Sequence, residues 1–169
     1  MLRKLCEEKG ARYVAPDLNM SPNEAAALIW SEYEAAARLG EVAVAGASLG
    51  GFYAAWLAAR TGIRAVLINP AARPWEIVKH YNGEYQSFTG DKIVRVTPEY
   101  AQDLRALDAA PFSDPGRVLM LLTTGDEVLD WTIAATRYAG AQSIVIEGGD
   151  HRISNFEEYA VGVRDFLLG

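Results

Sequence analysis

Five short apolar runs punctuate the chain, at Arg12–Ala15, Val42–Ala45, Ala65–Ile68, Val118–Leu122 and Ser143–Ile146. Each is four or five residues long and ends at a turn signal: Pro16-Asp17, Gly46, Asn69-Pro70, Thr124-Gly125 and Gly148-Gly149. Runs of that length bounded by glycine, proline and asparagine read as strands. The unbroken apolar character of Ala65–Ile68 suits a parallel strand covered on both faces. Between the runs, apolar residues recur at helical spacing. Residues 2–9 read as a helix stopped by Gly10. Ser21-Pro22-Asn23-Glu24 combines an N-cap serine, a proline in the first turn and a glutamate three residues on. The helix it opens runs to about Leu39, with Ala25, Leu28, Ile29, Ala36 and Leu39 toward the core and Gly40 closing it. Further helices are predicted from Gly50 to Arg60, from Thr97 to about Leu107 and from Trp131 to Tyr138. A second Ser-x-x-Glu box, Ser154 to Glu157, opens the last one, to about Leu167.

Alternation of strands with helices predicts an α/β protein, a three-layer sandwich with a mostly parallel sheet of about five strands. Its length fits one domain, residues 1–169. Residues 72–96 break the rhythm. Trp75, Tyr81, Tyr85 and Phe88 are scattered there among charges and the pairs Asn82-Gly83 and Thr89-Gly90. This stretch reads as an excursion over the sheet, either a lid or pocket wall or simply a loop packed down by its aromatics.

Composition narrows the function. Half of the 169 residues are apolar, enough for a sizeable core. A net charge of −6 argues against nucleic acid or an anionic membrane as a main partner. No apolar run approaches the ~18 residues of a membrane span, and the charged start Met1-Leu2-Arg3-Lys4 is no signal peptide, so a cytoplasmic protein is expected. Cys6 is the single cysteine, which excludes an internal disulfide and a cysteine metal site. No cofactor or metal is expected. His80 and His151 are the two histidines, so histidine-dependent chemistry must use one of them.

The stretch that organises the chain is Val42 to Tyr53. Gly46-Ala47-Ser48-Leu49-Gly50 has the G-x-S-x-G spacing of a serine held at a sharp strand-to-helix turn. Residues two before and two after such a serine approach each other closely, which glycine permits. The helix that follows aims its free N–H groups and positive dipole end at the serine, where an oxyanion would form. A serine hydroxyl needs a base, and histidine titrates near neutral pH. The imidazole in turn needs a carboxylate to fix its tautomer. In a parallel α/β sheet such groups gather beyond the carboxyl ends of the strands. Ser48, Asp126 and His151 each lie at such a point, in the order Ser…Asp…His found in α/β-hydrolases. Asp130 is the rival acid and His80 the rival base. Asp150 is expected to shape the turn before His151.

Four motifs, Gly46 to Tyr53, Asn69-Pro70-Ala71, Thr124 to Asp130 and Gly148-Gly149-Asp150-His151, together resemble the YqiA-type small esterases, a bacterial branch of the α/β-hydrolase superfamily. The resemblance covers nearly the whole chain. It implies an α/β-hydrolase-type fold, no cofactor, and hydrolysis of a small carboxylic ester or acyl thioester. Ser48 would be nucleophile, His151 general base and Asp126 its partner, with the Leu49 N–H as one oxyanion donor. Trp75 and Trp131 are candidates to line an acyl pocket.

The chain departs from this family at its front. Similar proteins begin with a strand and a His-Gly-Phe-type loop that supplies the second oxyanion N–H, whereas this sequence opens inside the first helix. That leaves three explanations: a start farther upstream, direct pairing of Arg12–Ala15 with Val42–Ala45, or a degraded, non-catalytic homologue. The same feature motivates a second function, a catalytically impaired protein that binds a small ligand or a partner; a third, acyl transfer to an acceptor other than water, shares the acyl-enzyme with hydrolysis. The sequence also allows a homodimer through an exposed sheet edge or the shortened front.

Overall fold

The computed structural model describes residues 1–81, 83–86 and 93–169. In chain order its elements are α1 (Leu2–Glu7), α2 (Pro22–Ala37), β1 (Ala43–Ala47), α3 (Leu49–Thr61), β2 (Arg64–Ile68), α4 (Pro74–Val78), β3 (Gly83–Gln86), β4 (Ile93–Val96), α5 (Pro98–Ala106), a 3-10 turn at Pro115–Arg117, β5 (Val118–Thr123), α6 (Trp131–Arg137), β6 (Gln142–Ile146) and α7 (Glu157–Leu168). They fall into two compact units. One comprises residues 1–14, 42–72 and 109–169, the other residues 15–41 and 73–108.

The first unit is built on a four-stranded sheet in the order β1-β2-β5-β6, parallel throughout. The period-two alternation of strand side chains, with a core on each face, explains why the central strands are apolar without a break over Ala65–Ile68 and Val118–Leu122. Along β5, Val118, Met120 and Leu122 enter one core with Ala54, Ala55 and Ala58 of α3 and Ala134 of α6. Leu119 and Leu121 enter a second core on the opposite face, with Val163 and Leu167 of α7. β2 divides the same way, Ala65 and Leu67 to the first core and Val66 to the second. With α1 packed on α7, this is a three-layer α/β sandwich.

Four of the five predicted strands form. The fifth, Arg12–Ala15, is irregular backbone, so the main sheet has four strands. Pro16 gives that run no donor at its end, and the segment is instead tied to α1. Ala11 N–H donates to the Cys6 carbonyl, and the Arg3 guanidinium lies 5.0 Å from the Tyr13 ring centroid. Direct pairing of Arg12–Ala15 with the elbow strand therefore does not occur, and β1 is an edge of the sheet.

The second unit contains α2, α4, α5 and the antiparallel hairpin β3–β4. The first capping box forms as predicted, with Ser21 N–H donating to Glu24 Oε2 at 3.0 Å. Ala25 is buried, but Leu39 is 74% exposed, because α2 ends at Ala37 and Leu39 lies beyond its apolar face. α2 packs on α5, and the Tyr100 hydroxyl donates to the Met20 carbonyl at 2.9 Å. The excursion at 72–96 thus contains regular structure the sequence did not suggest, the short helix α4 and the hairpin. Phe88, Asn82 and the pair Thr89-Gly90 lie outside the described residues.

Candidate active site

Ser48 stands between β1 and α3 with φ 52° and ψ −121°, a conformation a residue with a Cβ rarely adopts. Neighbouring backbone holds it there. Ser48 N–H donates to the Ile68 carbonyl at 3.0 Å, and its own carbonyl accepts from Ala71 N–H at 3.0 Å. The sharp turn requires glycine at two places. A Cβ on Gly46 would lie 2.1 Å from the Gly50 carbonyl oxygen, and one on Gly51 would lie 2.8 Å from Pro70 Cβ. Gly50 differs from expectation: a Cβ there meets nothing within 4 Å, because it projects away from the crossing it frames. Leu49 is the first residue of α3, so its N–H has no acceptor within the helix.

Asp126 and His151 come together across the ends of β5 and β6. His151 Nδ1 lies 2.8 Å from Asp126 Oδ2, and the Asp126 side chain is 1% exposed. The other carboxylate oxygen, Oδ1, accepts from the N–H groups of Val128 and Leu129, both at 2.8 Å. A carboxylate fixed in this way accepts a proton donor at Nδ1 and leaves Nε2 of a neutral ring as a base. The two loops meet backbone to backbone. Gly125 N–H donates to the Gly148 carbonyl at 2.8 Å, and a Cβ on Gly125 would lie 2.6 Å from the Gly149 carbonyl oxygen.

The rivals have other work. Asp130 caps α6, accepting from Thr132 N–H at 2.9 Å, and that residue's hydroxyl and N–H hold its carboxyl below the ordinary range. His80 follows α4 in the other unit. Asp150 shapes the turn as expected: its Oδ1 accepts from Arg152 N–H at 2.9 Å and Ser154 N–H at 3.2 Å. The Ser154 hydroxyl, first among several donors, pulls the Asp150 carboxyl below its usual value. That engagement explains why the second capping box fails. Ser154 serves the preceding turn, and α7 starts later, with Phe156 at its N-cap position.

Ser48, Asp126 and His151 thus all follow the carboxyl ends of strands in one parallel sheet. Among the described residues, the acid and the histidine are hydrogen-bonded and the Ser48 hydroxyl makes no bond to the ring. Nucleophile–base contacts are often long before substrate binds. Trp131, at the start of α6, packs against the first core, and Trp75 belongs to the other unit. No group of three or more His, Cys, Asp or Glu side chains among the described residues could hold a metal ion. No helix among them is long and apolar enough to cross a membrane.

Sequence reasoning missed the most connected side chain at this end of the sheet. Asn69, 3% exposed and with φ 37°, follows β2. Its Nδ2 donates to Thr123 Oγ1 at 3.0 Å, the His151 carbonyl at 3.0 Å and the Asp150 carbonyl at 3.3 Å; its Oδ1 accepts from Thr123 N–H at 2.9 Å. Glu127 Oε2 accepts the His151 N–H at 3.0 Å. An asparagine between an unbroken apolar strand and a proline was the available signal; it read as a turn.

Residues 1–168 match a family described as Uncharacterised protein family (UPF0227). Among solved structures, Est1E from Butyrivibrio proteoclasticus superposes with a TM-score of 0.66 at 17% identity, covering 89% of this chain and 71% of that one. A putative hydrolase of the alpha/beta superfamily from Xanthomonas campestris gives 0.63 at 18%, covering 99% and 86%. A structure from work on the metagenome-derived lipolytic enzymes LipS and LipT gives 0.67 at 16%, covering 99% and 87%. These likenesses establish the α/β-hydrolase fold.

Proposed function

The chain belongs to the UPF0227 family, and we propose that it is a serine hydrolase of carboxylic esters or acyl thioesters. The observation that carries this reading is the 2.8 Å His151–Asp126 pair, with the acid buried and fixed by two backbone N–H groups, at the sheet end where Ser48 sits on a strained turn. An aspartate that only capped a turn would have no need of an imidazole partner. Structural neighbours described as lipolytic enzymes and as a monoacylglycerol lipase agree with it.

In this reading His151 Nε2 takes the Ser48 hydroxyl proton as the oxygen attacks the acyl carbonyl. Asp126 holds the Nδ1–H tautomer and stabilises the imidazolium. The free Leu49 N–H, at the positive end of α3, supports the developing oxyanion. The imidazolium then protonates the departing alcohol or thiol, leaving the acyl group on Ser48. Water repeats the sequence to release the acid.

Intact-mass analysis after fluorophosphonate treatment tests the proposal. One stoichiometric adduct on the wild type that is absent from Ser48→Ala is expected. A folded wild type that takes no adduct would refute it and favour a non-catalytic ligand-binding role.

A further inference from the structure

The short turn from Ile68 to Ala71 touches both halves of the site. Its backbone grips Ser48: the Ile68 carbonyl accepts the Ser48 N–H and the Ala71 N–H donates to the Ser48 carbonyl, each at 3.0 Å. Between those two residues, Asn69 turns the other way. Its φ of 37° carries the side chain toward Thr123 of β5 and the turn after β6, where Nδ2 donates to the His151 carbonyl at 3.0 Å. Thr123 locks that amide in one orientation. Its N–H feeds Asn69 Oδ1, its hydroxyl oxygen accepts from Nδ2, and its hydroxyl proton goes to the Asp150 carbonyl at 3.1 Å. Asn69 and Thr123 are 3% and 0% exposed, so water cannot readily replace these bonds.

We infer that Asn69 is a positioning residue that sets His151 in register with Ser48. It rests on the reading of those two as base and nucleophile. Asp126 orients the imidazole ring, and Glu127 holds the His151 N–H. Neither acceptor lies in the turn that grips Ser48. Asn69 does, so it alone among these anchors ties the histidine's main chain to the segment that fixes the nucleophile. A displacement of about 1 Å between reacting groups can cost ~10²-fold in rate.

The test compares wild type with Asn69→Gly and Thr123→Val. Glycine keeps the positive φ and removes only the side chain. Valine preserves volume and leaves the bond to the His151 carbonyl and the Thr123 N–H to Asn69 Oδ1 in place, removing only the hydroxyl part of the lock. Turnover of a p-nitrophenyl ester and the imidazole 15N resonances are recorded on each; His80→Gln assigns the two rings. Asn69→Gly is expected to lower kcat by about 10²-fold with KM nearly unchanged. The His151 ring nitrogen shifts are expected to move as displacement of its main chain alters the 2.8 Å bond to Asp126. Thr123→Val should move both readings the same way by less. Folded variants with wild-type kcat and unmoved ring shifts would overturn the inference, as would a rise in KM alone. If the wild type turns over no ester, the hydrolase reading fails separately, and the ring shifts alone then decide whether Asn69 holds His151.

Discussion

The glycines around Ser48 are equivalent in the sequence motif and unequal in the structure, which makes alanine at each a quantitative test. At Gly46 a methyl group would sit 2.1 Å from the Gly50 oxygen, 2.3 Å from its carbonyl carbon and 2.8 Å from Gly51 nitrogen. Ordinary contact between heavy atoms is about 3.5–4.0 Å. The obstacle is backbone at the start of α3, whose residues from Gly51 to Ala58 are all buried, so relief requires moving the helix rather than a side chain. Overpacking commonly costs about 1–3 kcal/mol; a backbone collision more than an ångström too close belongs at or above that upper end. At Gly51 the nearest atoms are Pro70 Cβ at 2.8 Å and Cα at 3.0 Å, a milder overlap within the 1–3 kcal/mol range. At Gly50 nothing lies within 4 Å and the residue is helical, so alanine should be neutral or stabilising by up to about 1 kcal/mol. With roughly 2–4 °C per kcal/mol at this chain length, thermal denaturation should rank Gly46→Ala lowest, by about 6–12 °C or more, then Gly51→Ala, with Gly50→Ala at or above wild type. A Gly46→Ala protein with wild-type Tm, or a Gly50→Ala protein as destabilised as Gly46→Ala, would refute the steric account of this turn.

Two further outcomes follow from the acid groups. Asp126→Asn keeps an acceptor for Val128 and Leu129 but offers the ring an amide. Ester turnover should fall by about 10⁴-fold with the Tm little changed, whereas Asp130→Asn should leave turnover near wild type; the reverse ranking, read in the same steady-state assay, would reassign the acid. Asp150 has a folded-state pKa depressed below its unfolded value near 3.8, chiefly by the Ser154 hydroxyl. Its stabilising effect is therefore present above that value and lost as pH falls through the folded one, and Ser154→Ala should raise the Asp150 midpoint in a carboxyl NMR titration; an unmoved midpoint would remove Ser154 as the cause.

The parts of this fold legible in the sequence are those set by local rules. Strand ends at Gly46, Asn69, Thr124 and Gly148 were readable because glycine and asparagine mark where an apolar run must turn. From those ends came the common location of Ser48, Asp126 and His151. Arg12–Ala15 misled because a run of strand-like residues forms no strand without a partner, and its neighbours are set by the tertiary fold. Ser154-Asn155-Phe156-Glu157 misled because Asp150, four residues upstream of Ser154, competes for the same serine. Asn69 was invisible for a related reason. Its role depends on Thr123 and His151, 54 and 82 residues away, and no local pattern records which buried polar groups will meet.

That distribution has a consequence for how the site is held. The contacts that bring its segments together run largely through main-chain atoms: Ser48 to Ile68 and Ala71, Thr124 to Ile146, Gly125 to Gly148, and Asn69 to the carbonyls of Asp150 and His151. Main-chain anchors keep their places whichever side chain a position carries. The hydroxyl of Ser48 and the imidazole of His151 are thereby left with little structural duty, so their removal should alter chemistry far more than stability, whereas the Asp126 carboxylate also holds the N–H groups of Val128 and Leu129. Gly46, Gly51, Gly125 and Asn69 carry the opposite balance. Their value lies in letting backbones cross or in holding a carbonyl, so substitution there should disturb the frame before it touches a reacting atom. Stability and turnover, measured on the same variants, should therefore sort into two groups, with Asn69→Gly the informative exception, a frame residue whose loss is expected to register first in kcat.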